Sequence, residues 1–471
     1  MTGRALVLRG DARALPLPDA CVDLIVTSPP YYALRSYTDG GEHYDGQIGS
    51  EATPAAYIDA LIDCTREWAR VLRPGGSMFV DLGDKYSGAQ GQSNGGLAPG
   101  GAPPSGSSAD VWARTDPRRT GIPNKSLMLL PERYRIAAVD RLGLICRAVI
   151  VWAKPNGLPE SVQDRVRRSH EDWVHLVKAP RYYSAIDEIR EAYSPDTAAR
   201  YALGFNLTGV AAAGQSRNAK IAKTDGGPSS TNPLGKLPGS VWTIPTEPLT
   251  VPAGLGVDHF AAYPTEWPRR LILGWSPPGI CVQCGEGRRP VADAERTARP
   301  TSGPLRGGAN RTKRDGHPGT DGDAGNMMTL RTITGYVCAC TPYTDHPERQ
   351  QPTVTPSRSK GRGHQDNDTR AEAAGSRRHG NDWPFRYPIR EYHFDQWTPA
   401  PTRPAVVLDP FGGTGTTALV AAALGRVGIS VDMSADYCRL AAWRTTDRRQ
   451  IAAAMRVTRP DPVAPDQLDL F

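Results

Sequence analysis

Apolar and polar positions fall into blocks whose period changes along the first third of the chain. "ALVLRGD" is a short apolar run closed by Gly10 and Asp11, and "CVDLIVTSPP" is a second run closed by two prolines. Apolar runs of this length bounded by turn residues predict buried strands. "TPAAYIDALIDCTREWARVLRPGG" carries its apolar residues at helical spacing and predicts a helix that stops at Pro74-Gly75-Gly76. "SMFVDLGD" reads as another strand, "SLMLLPERYRIAAVDRLG" as a helix, and "LICRAVIVWAKP" as a strand. Near the end, "AVVLDPFGGTGTTALVAAALGRVGISVDMS" reads as strand, Gly-rich turn, helix and strand, while "HFAAYPTEWPRRLILGWSPPG" predicts a helix entered through Pro264. Strands alternating with helices predict an α/β fold, a doubly wound and mainly parallel sheet with helices on both faces.

Three stretches break the pattern. Residues 85–124 contain "GAQGQSNGGLAPGGAPPSGSS", without periodicity, and predict a mobile loop. Residues 190–240 are irregular and basic, with Arg217, Lys220, Lys223 and Lys236. Residues 285–385 are rich in Arg, Gly, Asp and Thr and read as an insertion.

Composition adds little to this picture. The 39% of hydrophobic residues suffices for the core of one large domain, and Gly 49 with Pro 43 fits long irregular insertions around it. No apolar run approaches the ~20 residues that span a bilayer, so a cytoplasmic location is expected. The net charge of +7, carried mostly by Arg, favours a polyanionic partner. A GC-rich genome raises Arg, Ala, Gly and Pro together, so charge alone does not choose that partner.

Two motifs carry candidate chemistry. In "VVLDPFGGTGTT" the glycines let a ligand approach the backbone, and the helix that follows presents free N–H groups to an anion. Asp432 ends the next strand, where an acid accepts hydrogen bonds from ribose hydroxyls. No Lys-Ser/Thr follows the glycines, which disfavours a phosphate-cradling loop. A ligand with a carboxylate and a ribose but no phosphate fits, and S-adenosylmethionine has those parts. The second motif, "TSPPYY", puts a hydroxyl, two rigid residues and two aromatic rings at the carboxyl end of a strand.

Together, "TSPPYY" and "DPFGGTGTT" resemble the DNA methyltransferases that act on exocyclic amino groups, cytosine N4 or adenine N6. "VLRPGGSMFVDLGDKY", "VIVWAKPNGLPESVQDR" and "SVWTIPTEP" followed by "HFAAYP" are similar to further blocks of that family, in the permuted order usually called beta. The matches span most of residues 5–190, 238–280 and 404–445. The resemblance implies a Rossmann-like S-adenosylmethionine-dependent methyltransferase fold with irregular insertions. It makes Ser28, Pro29, Pro30 and Tyr31 catalytic. It makes Asp11, Phe260, Pro264, Asp409, Phe411, Gly413, Gly415 and Asp432 cofactor-binding. The expected activity is site-specific methylation of cytosine N4 in double-stranded DNA by base flipping, with adenine N6 the alternative. Ser28 favours cytosine, because relatives with Asp or Asn there mostly methylate adenine. A restriction endonuclease acting on the same site is an expected companion. Rivals are a catalytically inactive DNA-binding protein and an RNA methyltransferase.

The expected organisation is a catalytic half at residues 1–190, a target-recognition region at 191–240 and a cofactor-covering block at 241–280. An insertion at 281–390, partly disordered, a cofactor-binding half at 391–450 and a tail at 451–471 follow. Arg165, Arg167 and Arg168, with Lys220 and Lys223, are candidate DNA contacts, and a solvated helix face is the competing reading of the arginine cluster. Of eight cysteines, Cys21, Cys64, Cys146 and Cys438 sit singly in apolar contexts. Cys281-x-x-Cys284 and Cys338-x-Cys340 have the pairing of a structural zinc site, free thiols being the alternative. Such a zinc would pin the base of the insertion and take no part in methyl transfer.

Overall fold

In the computed structural model the alternating blocks form one eight-stranded sheet. The structure describes residues 3–34, 38–39, 42–43, 46–88, 114–157, 160, 162–192, 235–255, 262–298, 327–351 and 387–456. The strands are β1 (Arg4–Arg9), β2 (Val22–Thr27), β3 (Leu72–Leu82), β4 (Ile145–Ala153), β5 (His170–Val177), β6 (Val241–Thr243), β7 (Val406–Asp409) and β8 (Val427–Asp432). Their spatial order is β1-β8-β7-β2-β3-β5-β4-β6. β5 runs against both neighbours, and the other pairings are parallel. The last two strands in the chain therefore lie between the first two, which is the permuted order in spatial form. Every residue of β2 is buried, as a central parallel strand covered on both faces requires.

Helices cover both faces. α1 (Pro54–Val71) and α2 (Leu130–Leu142) pack on one face, where Tyr57, Leu61, Trp68, Leu130 and Tyr134 join the core. α3 (Glu266–Trp275), α4 (Thr416–Ala423) and α6 (Arg448–Met455) pack on the other, with Trp267, Leu271, Leu419 and Ala454. α5 (Ala435–Thr446) lies against β1 and β8. On the second face Trp267 is stacked between Trp173 (4.8 Å between ring centroids) and Trp242 (5.0 Å). Aromatic burial of this size is a large apolar contribution that ties α3 to both β5 and β6.

Helix boundaries differ from the sequence expectation for local reasons. α1 begins as its composition dictates, with Thr53 accepting from the Ala56 N–H and proline in the first turn. It ends at Val71 rather than at Pro74, and β3 starts at Leu72. A residue before proline is driven out of the helical region, so Arg73 is extended and draws Leu72 into the strand. α2 starts four residues later than "SLMLL" suggests. Asp84, just beyond β3, accepts from the Leu129 and Leu130 N–H groups (3.1 Å each) and fixes the start there. The insertion is more ordered at its base than its composition implies. Arg289–Ala298 pairs antiparallel with Met327–Val337, and Tyr343–Gln351 with Tyr387–Tyr392. Among the described residues no helix is long and apolar enough to cross a membrane.

Candidate active site

Because β1, β8, β7, β2 and β3 are parallel, their carboxyl ends share one edge of the sheet. Along that edge stand Asp11, Asp432, Asp409, Ser28 and Asp81, in the order of their strands. β7 and β2 are neighbours, yet α4 leaves β7 for one face and α1 follows β2 on the other. Adjacent strands whose connections diverge open a crevice at their carboxyl ends, the usual ligand position in such sheets.

The Ser28–Tyr31 loop forms one wall of this crevice and is tightly held. The Tyr57 hydroxyl of α1 donates to the Pro30 carbonyl (2.9 Å), and the Ala33 N–H donates to Gly49 O (2.8 Å). Tyr32 is buried, tilts against Tyr57 (5.5 Å) and donates its hydroxyl to Arg114 O (2.9 Å). The two tyrosines of the motif therefore divide the labour, Tyr32 anchoring the loop while Tyr31 reaches toward the carboxyl end of β3. The Ser28 hydroxyl lies 3.5 Å from the Tyr31 hydroxyl, which donates to Asp81 (3.2 Å). Glu171 also approaches the Tyr31 hydroxyl, and Lys154 pairs with Glu171 at 2.5 Å. Burial, and then the Asp81 and Glu171 charges, raise the Tyr31 phenol well above its ordinary range. Burial, followed by the Glu171 charge, likewise raises the Asp81 carboxyl, with Lys154 opposing. Tyr31 thus remains a neutral phenol.

The Gly-rich turn forms the other wall. Gly415 (φ +71°) and Gly413 (φ +47°) occupy left-handed backbone that favours glycine, and Gly415 caps α4. Gly412 is needed for space, since a Cβ there would lie 1.9 Å from the Ser430 hydroxyl. Asp432 organises the turn, accepting from the Gly413 N–H (2.9 Å) with one oxygen and from the Ser434 N–H (2.9 Å) with the other. Asp409 is buried. It accepts from the Phe411 N–H (3.2 Å), from Thr417 (3.0 Å) and from the Tyr263 hydroxyl (2.7 Å). Phe411 meets Trp68 edge-on at 5.9 Å. Asp11 is held by Arg13 (2.7 Å), and its neighbour Gly10 donates to Asp432 O (2.9 Å), so the two acids are adjacent.

The structure thus gathers Ser28, Pro29, Pro30, Tyr31, Asp11, Asp409, Phe411, Gly413, Gly415 and Asp432 on one edge. Pro264 precedes α3, but Phe260, Lys220, Lys223 and residues 193–234 lie outside the described residues. The arginine cluster is on the same edge, in an irregular segment between β4 and β5 rather than on a helix face. There Arg165 pairs with Glu160 (2.8 Å) over the Tyr86 ring, and Arg167 donates to Gly157 O (2.7 Å). The four paired cysteines meet elsewhere, at the base of the insertion. Sequence reasoning overlooked Tyr263, Thr417, Asp81, Glu171 and Lys154. Tyr263 lay inside the quoted "HFAAYP" block, and Asp81 lies within the predicted strand "SMFVDLGD", near its carboxyl end.

Known proteins resemble much of this chain. A family model described as DNA methylase matches residues 22–283 and 401–442. Type II methyltransferase M.Cfr9I of Citrobacter freundii is 32% identical over 281 residues, 59% of this chain and 75% of that protein. Type II methyltransferase M.SmaI of Serratia marcescens is 30% identical over 287 residues, 58% of this chain and 76% of that protein. The solved PvuII DNA methyltransferase (cytosine-N4-specific) aligns over 97% of this chain and 93% of its own, with a TM-score of 0.44 and 14% identity. The chain belongs to the N6/N4 family of DNA methylases, the DNA methyltransferases of exocyclic amino groups, with the catalytic block ahead of the cofactor block.

Proposed function

We propose that this chain transfers a methyl group from S-adenosylmethionine to the exocyclic N4 of a flipped cytosine in duplex DNA. The observation that carries the reading is the pairing of the Ser28–Tyr31 loop with the Gly-rich turn across the β7–β2 crevice. The turn suits the donor. Its glycines admit a ligand close to the backbone, the amino end of α4 suits a carboxylate, and Asp432 and Asp11 suit ribose and adenine amino groups. Tyr263, bonded to Asp409, ties the segment ahead of α3 to the carboxyl end of β7. When bound, S-adenosylmethionine supplies an electrophilic methyl on a positively charged sulfur.

The chain's own task is to make a poor nucleophile reactive. The lone pair of an exocyclic amino nitrogen is delocalised into the ring. Acceptors aimed at its hydrogens draw it toward a tetrahedral geometry, and the Ser28 hydroxyl oxygen with the Pro29 carbonyl suits that role. The Tyr31 ring provides the stacking platform for the flipped base. Its hydroxyl, tied to Asp81, fixes the ring.

Ser28 supports cytosine over adenine. A carboxylate at this place would face the ring nitrogen beside the amino group, and cytosine N3 is the more basic acceptor. A neutral hydroxyl accepts from the amino group or donates to N3 as needed. The type II relatives support a restriction-modification setting, with an endonuclease reading the same sequence. Residues 191–240 are the target-recognition region in this reading, since sequence readers are borne on loops set on a rigid scaffold. Incubating the purified chain with labelled methyl donor and duplex DNA or RNA tests the proposal. Label entering DNA alone supports it. Label in RNA alone, or none in either, overturns it.

A further inference from the structure

The four paired cysteines stand apart from the crevice and from the methyl-transfer chemistry. Cys281, Cys284, Cys338 and Cys340 bring their sulfurs within 4.8 Å of one another, and none is in a disulfide. Cys281 Sγ lies 4.0 Å from Cys340 Sγ. A disulfide needs a separation of about 2.05 Å. Four thiolates around a tetrahedral zinc, with Zn–S near 2.3 Å, sit about 3.8 Å apart. The spacing is that of a shared cation.

The backbone is shaped for the same purpose. Around Cys281 the chain folds back on itself. Gly285 N–H donates to Cys281 O (2.9 Å) and Cys281 N–H to Glu286 O (2.9 Å), with Gly285 in left-handed backbone at φ +73°. This turn aims the Gln283 and Cys284 N–H groups at the Cys281 sulfur. A second turn does likewise. Thr341 N–H donates to Cys338 O (2.9 Å), Cys338 N–H to the Thr341 hydroxyl (3.1 Å), and the Cys340 N–H reaches the Cys338 sulfur. Glu286 joins the two turns by accepting from the Ala339 N–H (3.2 Å). Cys281 and Cys338 are buried, and Cys284 and Cys340 are half-buried, so the cluster is closed rather than open to a substrate.

We propose that these four cysteines hold one zinc ion that closes the neck of the insertion. The family match breaks off at residue 283 and resumes at 401, so Cys281 and Cys284 stand at the seam between shared core and added segment, while Cys338 and Cys340 belong to the added segment. Ile280–Cys281 pairs with Thr402–Arg403, where the chain returns, and Cys338 follows the insertion strand Met327–Val337. One ion therefore joins the outgoing chain to the inner hairpin beside the point of return. The neck feeds the amino end of β7, whereas Asp409 and the Gly-rich turn lie at its carboxyl end. The ion is structural and touches no reacting group.

The test is metal analysis of the full chain, grown with zinc and purified without chelator. One zinc per chain is expected after gel filtration. Cys284→Ala and Cys340→Ala should each retain at least about tenfold less metal than wild type. Should either variant fold poorly, cobalt loading of the unaltered chain decides, through the thiolate charge-transfer and visible bands of tetrahedral cobalt. Chelator-treated protein should become more sensitive to protease at the insertion while still binding S-adenosylmethionine. Metal-free wild type, full metal content in both variants, a cobalt spectrum without thiolate bands, or a disulfide within the quartet would each overturn the assignment.

Discussion

Gly83 gives the sharpest test of how Tyr31 is held. It lies just past β3, and a Cβ built on it would stand 2.6 Å from Tyr31 Cε2, 2.9 Å from Cδ2 and 3.3 Å from Cζ. Its φ is not in the left-handed region, so Gly83→Ala tests space alone. Ordinary carbon contacts are about 3.5–4.0 Å, so the ring must retreat by roughly 1 Å. That shift strains or breaks the Tyr31 contacts with Asp81 (3.2 Å) and Ser28 (3.5 Å). Overpacking of this kind costs about 1–3 kcal/mol in stability. A displacement of about 1 Å at a reacting centre costs on the order of a hundredfold in rate. Gly75→Ala is the control, because nothing lies within 4 Å of its added methyl. The assay is kcat for methyl transfer to duplex DNA, with calorimetric affinity for S-adenosylmethionine and the thermal midpoint measured alongside. Gly83→Ala should lose about a hundredfold in kcat while keeping donor affinity, and Gly75→Ala should match wild type. A folded Gly83→Ala chain within about twofold of wild-type kcat would refute the role given to the Tyr31 ring.

Three further outcomes are expected. Asp432→Ala should weaken donor binding by at least about tenfold to a hundredfold, the equivalent of one hydrogen bond to a charged group at about 1.5–3 kcal/mol, while Ser28→Ala keeps affinity and loses turnover; equal calorimetric affinities for wild type and Asp432→Ala would remove Asp432 from the site. His175 is buried against Phe79 (4.2 Å) and bonded to Ser77 (3.1 Å), and burial, aided by the Arg147 charge, pushes its pKa from 6.5 down to about 3. The folded state then favours the neutral ring, so this stability is full above pH 6.5 and is lost as pH falls toward 3, by about 2 kcal/mol at pH 5. Urea unfolding at pH 7.5 and 5 should show a steeper loss in wild type than in His175→Gln, and equal losses would contradict the assignment. Exchanging residues 191–240 for the segment of a relative should move the methylated site, and an unchanged site would place recognition elsewhere.

Much of the fold was legible because the central strands are short apolar runs closed by Gly, Pro or Asp. β1, β2, β7 and β8 each read directly from that pattern, and their ends placed Asp11, Ser28, Asp409 and Asp432 on one edge. Boundaries were less legible where distant residues decide them, as when Asp84 fixes the start of α2. Tyr263 and Glu171 escaped for the same reason. Their partners Asp409 and Tyr31 are far off in sequence, and no spacing rule joins them. The cysteine quartet was legible as two pairs, but the convergence of those pairs emerged only from the turns that fold the insertion's base back to the core.

Everything proposed for the crevice turns on the atom that receives the methyl group. The direct measurement is to incubate duplex DNA with the purified chain and deuterium-labelled S-adenosylmethionine, digest the DNA, and identify the labelled nucleoside by mass and chromatography. Labelled N4-methylcytosine is expected, abolished in Ser28→Ala. Labelled N6-methyladenine without N4-methylcytosine would show that Ser28 does not set the base, and label on a ring carbon would contradict amino-group chemistry altogether.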